Sequence, residues 1–122
     1  MSKILIVDDE TDLLEIMSAW LQDHGYEIVT AVDGPSALEM ARKHHPELVI
    51  LDLMLPKMDG YKVSALLKTD SRYSKIPILL FTAKVPQEED QKMREEARVD
   101  AYLTKPFVPE AFLEKIQELI GR

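Results

Sequence analysis

The 122-residue sequence contains no cysteine. Disulfide staples and thiolate metal sites are therefore excluded, and an intracellular, cytoplasmic setting is the expectation. There is no apolar run near the roughly 20 residues that a membrane-spanning helix requires. Only a short apolar stretch separates Lys3 from the first acids, too little for a signal-peptide core. Basic residues are outnumbered: 15 Lys and Arg stand against 22 Asp and Glu, a formal net charge of −7. Non-specific nucleic-acid binding needs a basic footprint, so no direct contact with nucleic acid or membrane is expected. Repeats, low-complexity segments and linkers are also lacking. What remains is one ordinary domain over residues 1–122, with enough hydrophobic content (46%) to bury its own core. Met1 places that domain at an N-terminus, by expectation.

Strand-like and helix-like patterns alternate along the chain. Short apolar runs at Lys3–Val7, Ile28–Ala31, Leu48–Leu51, Ile78–Phe81 and Ala101–Leu103 read as strands, several of them apolar on both faces. Helical spacing predicts helices over Thr11–His24, Pro35–His44, Gly60–Lys68, Pro86–Arg98 and Pro109–Ile120. Pro35, Pro86 and Pro109 each stand where a helix should begin, a position that tolerates the missing N–H. Gly25 suits the left-handed residue that ends the first helix. Five strands alternating with five helices imply an α/β fold, an open parallel five-stranded sheet with helices on both faces. In such sheets ligands sit beyond the carboxyl ends of the strands.

That edge is where the chemistry-bearing residues fall. Asp8, Asp9 and Glu10 follow the first strand and Asp52 ends the third. Thr82 follows the fourth, and Thr104, Lys105 and Pro106 follow the fifth. Crowded carboxylates need a counter-charge. Lys105 is one source and a divalent cation another. Hard oxygen donors from Asp side chains suit magnesium rather than zinc. The plainer reading of "DDE" is a helix N-terminus dressed with acids, but that does not account for Asp52, Thr82 and Lys105 after three other strands. His24, His44 and His45 read as exposed residues at helix C-termini rather than phosphorelay histidines. Trp20 reads as helix packing, remote from the acids and so a poor reporter of them. The fourth helical pattern offers little apolar anchorage beyond Met93 and Ala97, as a mobile element would.

The stretches "ILIVDDE", "AVDGPSALEMA", "PELVILDLMLPKMDGYKV", "IPILLFTA" and "AYLTKPF" together resemble the receiver, or phospho-acceptor, domain of bacterial two-component response regulators. The resemblance runs from Lys3 to about Ile120. It implies a flavodoxin-like, CheY-like (βα)5 fold with strand order 2-1-3-4-5. It also implies a magnesium-dependent switch (manganese as a substitute) in which Asp52 accepts a phosphoryl group. The donor would be a sensor histidine kinase, a phosphotransfer protein or a small acyl phosphate. By the same resemblance Asp8, Asp9, Asp52 and the backbone carbonyl of Met54 hold the metal, with Asp9 direct and Asp8 largely through water. Thr82 is the switch hydroxyl, Lys105 the charge partner and Tyr102 the aromatic that changes rotamer, and Lys105–Pro106 is cis. Such a protein is a phospho-acceptor that catalyses its own phosphorylation and dephosphorylation rather than an enzyme in the ordinary sense. It passes its signal to a downstream effector through the face of the fourth helix, fifth strand and fifth helix, as a monomer or a dimer formed through that face. The alternative is a pseudo-receiver, an interaction module that never takes phosphate. Two departures stand out. Arg98-Val99 replaces a frequent Gly-Ala pair, so either the fourth helix ends differently or the turn there costs some strain. Ala101 stands where winged-helix regulators often carry a second acid.

Overall fold

The structure, a computed structural model, describes residues 2–84 and 87–121. Five strands, β1 (Lys3–Val7), β2 (Glu27–Ala31), β3 (Leu48–Leu51), β4 (Ile78–Thr82) and β5 (Ala101–Thr104), form one parallel sheet in the order β2-β1-β3-β4-β5. Helices α1 (Thr11–Asp23), α2 (Gly34–His44), α3 (Gly60–Lys68), α4 (Gln91–Ala97) and α5 (Pro109–Ile120) lie between the strands and after the last. The alternating pattern implies the open parallel sheet, and the strand order is the flavodoxin-like one that the resemblance implies.

Side chains alternate across a strand, and here both faces are buried. Leu5, Val7, Val49, Leu51, Ile78 and Leu80 pack with Ala37, Leu38 and Ala41 of α2, Val63 and Leu67 of α3, and Ala97 of α4. Ile4, Ile6, Leu48, Ile50, Leu79 and Phe81 pack with Leu14, Met17 and Leu21 of α1 and with Phe112 and Ile116 of α5. The central strands are apolar throughout because they have no solvated face. β2 and β5 are the exceptions: they are the edge strands, and both are only partly buried along their length. Among the described residues no helix is long and apolar enough to cross a membrane.

The expected elements recur with shifted ends. Thr82 and Thr104 lie within their strands rather than after them, because each pairs with the other across β4 and β5. The fourth helix is shorter than expected. A 3-10 turn at Glu88–Asp90 precedes an α4 that starts at Gln91, and the expected start at Pro86 lies outside the described residues. Arg98 adopts the left-handed conformation itself (φ 50°), which costs a non-glycine residue about 1 kcal/mol. Its guanidinium donates to the Lys68 carbonyl at 2.9 Å, tying the end of α4 to that of α3. The buried Ser64 hydroxyl donates to the Ala97 carbonyl at 2.6 Å at the same end. Ala97 is the buried residue of α4, so that helix is anchored mainly at its C-terminus.

Candidate functional site

Backbone hydrogen bonds carry the parallel ladders one residue past the strands. The Asp8 N–H donates to Ala31, the Asp52 N–H to Val7 and the Lys105 N–H to Thr82, at 3.0–3.1 Å. Strand alternation therefore still governs these residues, and it gives all three the parity of Ile6, Ile50 and Leu103. Their side chains converge. The Lys105 ammonium lies 3.1 Å from Asp8 Oδ2, 3.1 Å from Asp52 Oδ2 and 2.6 Å from Glu10 Oε1. Asp8 and Asp52 are buried, whereas Glu10 is largely exposed. The Lys105–Pro106 peptide is cis, and the ammonium stands 5.8 Å from the centre of the Phe81 ring.

Burial pushes the Asp8 carboxyl above the ordinary carboxylate range, and the neighbouring Asp52 charge adds to this. The Glu10 N–H, which donates to Asp8 Oδ1 at 2.9 Å, and Lys105 act the other way. Burial alone would depress the Lys105 ammonium, but the carboxylates of Glu10, Asp8 and Asp52 outweigh it and hold the pKa well above the usual lysine value. Asp52 has a partner for each oxygen: Lys105 on Oδ2 and the Met54 N–H on Oδ1 at 3.1 Å. The Met54 side chain points to solvent, 62% exposed.

Asp8, Glu10 and Asp52 can each bring an oxygen within 4.8 Å of the others. One ammonium against three carboxylates leaves a surplus of negative charge, and hard oxygen donors with such a surplus fit a divalent cation of the magnesium type. Asp9 is exposed and outside this trio. It lines an adjoining cleft of about 520 Å³ together with Met54, Lys84, Asp90 and Met93. Thr82 is buried, and its Oγ1 accepts the Lys84 N–H at 3.2 Å. Tyr102 pairs with Leu80 in the sheet, two residues before Thr82 and on the same face. Its ring packs against the α2–α3–α4 core layer.

The loop after β3 is held by its glycine and its acid. A Cβ on Gly60 would sit 2.5 Å from the Asp52 carbonyl oxygen and 2.8 Å from Leu53 Cα, so only glycine lets α3 start this close to the acceptor strand. The Asp59 side chain caps α3 by accepting the Lys62 N–H at 2.9 Å. Lys57 has φ 70° inside a three-residue turn closed by Met58 N–H and Pro56 O at 2.8 Å, the rarer and more strained γ-turn form. Its ammonium reaches Asp33 at 3.3 Å, joining this loop to the start of α2. Sequence reading had assigned Glu10 no role of its own. Its only signal was its place third in an acidic run.

Comparison with known proteins matches this geometry. The family model of the response regulator receiver domain fits residues 4–117. RpaA of Synechocystis, a DNA-binding dual master transcriptional regulator, is 39% identical over 100% of this chain and 50% of that protein. PhoP of Bacillus subtilis, an alkaline phosphatase synthesis transcriptional regulatory protein, is 38% identical over 98% of this chain and 49% of its own length. The chain thus spans about half the length of these curated relatives. Among solved structures, the chemotaxis protein CheY4 of Vibrio cholerae superposes with a TM-score of 0.89 at 34% identity, covering 98% of both chains. The receiver domain of a sensor histidine kinase from Pseudomonas aeruginosa, solved with a magnesium ion coordinated in its active-site cleft, has a TM-score of 0.88 at 27% identity over 99% of this chain and 98% of its own. With fold, acidic edge and lysine all in agreement, this chain belongs to the receiver-domain family of two-component response regulators.

Proposed function

We propose that residues 1–122 act as one receiver domain, in the cytoplasm, that catalyses transfer of a phosphoryl group to its own Asp52. The observation that supports this most is the convergence of Asp8, Glu10, Asp52 and Lys105 from three loops onto one charge cluster. An Asp52 carboxylate oxygen attacks the phosphorus of a phosphohistidine on a kinase or phosphotransfer partner. The P–N bond breaks, its electron pair stays on the imidazole, and an acyl phosphate forms. Because the transferring group is already anionic, catalysis is mostly positioning and charge neutralisation. Asp8, Asp9, Asp52 and the Met54 carbonyl are the proposed ligands for magnesium, which when bound supplies positive charge at the phosphoryl oxygens. Lys105 adds a fixed cation at the same place. Water later attacks the phosphorus, releases inorganic phosphate and restores the carboxylate.

The switch follows from the new acceptor. Thr82 turns its hydroxyl toward a phosphoryl oxygen, Tyr102 changes rotamer, and the α4–β5–α5 face presents a different surface to a downstream effector or to a second copy of the chain. Intact-mass measurement after acetyl phosphate and magnesium tests the chemistry. One phosphoryl adduct is expected on the native chain and none on Asp52→Asn. An unmodified native chain refutes the proposal. Size-exclusion chromatography with and without beryllofluoride tests the dimer.

A further inference from the structure

Glu10 is the N-cap residue of α1, the position where a side-chain oxygen normally accepts an N–H of the first turn, yet its side chain makes no such bond. It turns back instead onto the Lys105 ammonium. That group is nearly enclosed, its side chain 13% exposed. The carboxylates of Asp8, Glu10 and Asp52 all stand within 3.1 Å of it, as many as it has protons to donate. An arriving phosphoryl oxygen therefore gains a hydrogen bond from Lys105 only if one carboxylate lets go. The three are not equally easy to displace. Asp8 and Asp52 are buried, and their N–H groups continue the strand ladders. Their other oxygens are held by the N–H groups of Glu10 and Met54. Parting either from the ammonium leaves a buried charge without compensation. Glu10 is 60% exposed, so water solvates its carboxylate when it leaves. Yet its contact is the shortest of the three, 2.6 Å.

We propose that Glu10 is an autoinhibitory counter-ion: in the resting chain it holds the Lys105 proton that a phosphoryl oxygen on Asp52 needs, and so slows phosphorylation. Its release requires only rotation of one exposed side chain, with no movement of a helix or strand. The third acid of the run thus serves the ammonium rather than the metal. This inference rests on Asp52 being the phospho-acceptor and concerns the regulation of that same site.

The test compares Glu10→Ala, which removes the arm, with Asp12→Asn. The latter removes one charge from the exposed first turn of α1 and so measures the general effect of a less acidic edge. Intact mass followed over time gives the rate of modification by acetyl phosphate at saturating magnesium. Glu10→Ala is expected to react about threefold to tenfold faster than the native chain, the worth of one hydrogen bond, and faster than Asp12→Asn. Damage to the fold would slow the reaction, so a gain is not a structural side effect. Isothermal titration with magnesium, without any phosphoryl donor, gives a second readout: Glu10→Ala should bind as Asp12→Asn does. A Glu10→Ala rate at or below that of Asp12→Asn overturns the inference and leaves the phospho-acceptor reading intact. So does a magnesium affinity weakened by about tenfold or more relative to Asp12→Asn, the size of loss expected when a metal site is disturbed. If the native chain and Glu10→Ala both stay unmodified, the phospho-acceptor reading is overturned and this inference falls with it.

Discussion

Lys105 is outnumbered three to one by the carboxylates it touches, two of them buried. Removing one partner of a buried charge cluster costs more than the cluster contributes, because the remaining charges keep their desolvation penalty. Lys105→Ala is therefore expected to destabilise the protein by about 3 kcal/mol at pH 7. Without the ammonium, burial holds the proton of Asp8 still more tightly in the folded state than in the unfolded one, so the deficit shrinks as pH falls through the carboxylate range. Urea denaturation at pH 7 and pH 4.5 measures both. Asp8 gives a second test. Burial raises its folded pKa above the ordinary value, so its contribution to stability is greatest in acid and declines as pH rises through that window. Asp8→Asn should raise the stability of the metal-free protein at pH 7 and flatten its pH slope, read by thermal melts from pH 4 to 8. The site was legible at this scale wherever one chemistry-bearing residue directly follows a strand, as with Asp8, Asp52 and Lys105. It was not legible in the run Asp8-Asp9-Glu10, where the loop backbone decides which side chain turns inward. That loop sends Asp9 out and folds Glu10 back over Lys105.

At the scale of elements, the start of α3 fixes the acceptor loop. Its close approach to β3 leaves no room at Gly60, so Gly60→Ala should cost about 1–3 kcal/mol by overpacking and displace the Asp52 backbone. Equilibrium unfolding gives the stability cost. A slower reaction with acetyl phosphate, at unchanged far-UV circular dichroism, would show that the site and not the fold is affected. The alternation of strands and helices was readable because the apolar periods of 2 and 3.6 residues are distinct and prolines mark helix starts. α4 was least readable. Its charged sequence carries almost no apolar stripe, and its ends are set by contacts distant in sequence, such as Ser64 with Ala97 and Arg98 with Lys68. The replaced Gly-Ala pair left open whether the helix ended differently or the turn was strained; the left-handed Arg98 is the second of these.

For the whole molecule the net charge of −7 and the acidic edge act together. A cation that binds the folded state alone stabilises it by mass action, about 2.7 kcal/mol at a hundred times its Kd. Magnesium should accordingly raise the melting temperature of the native chain, well beyond the effect of sodium at matched ionic strength. Asp8→Asn should lose most of that gain, as differential scanning calorimetry would show. Strand order itself was reachable only through family resemblance, since alternating strands and helices say nothing of which strands neighbour one another.

Trp20 is the sequence's single tryptophan. Although its helix position is far from the acids, its ring meets Phe107 edge-on at 5.7 Å, and Phe107 stands two residues beyond Lys105. The indole also packs at 4.2 Å, tilted by 40°, against the His24 ring, a potential quencher. The indole thus touches the segment that follows Lys105; a change in its emission on adding magnesium would show that this segment moves with the acidic edge, and unchanged emission would bear out the expectation that Trp20 reports those acids poorly.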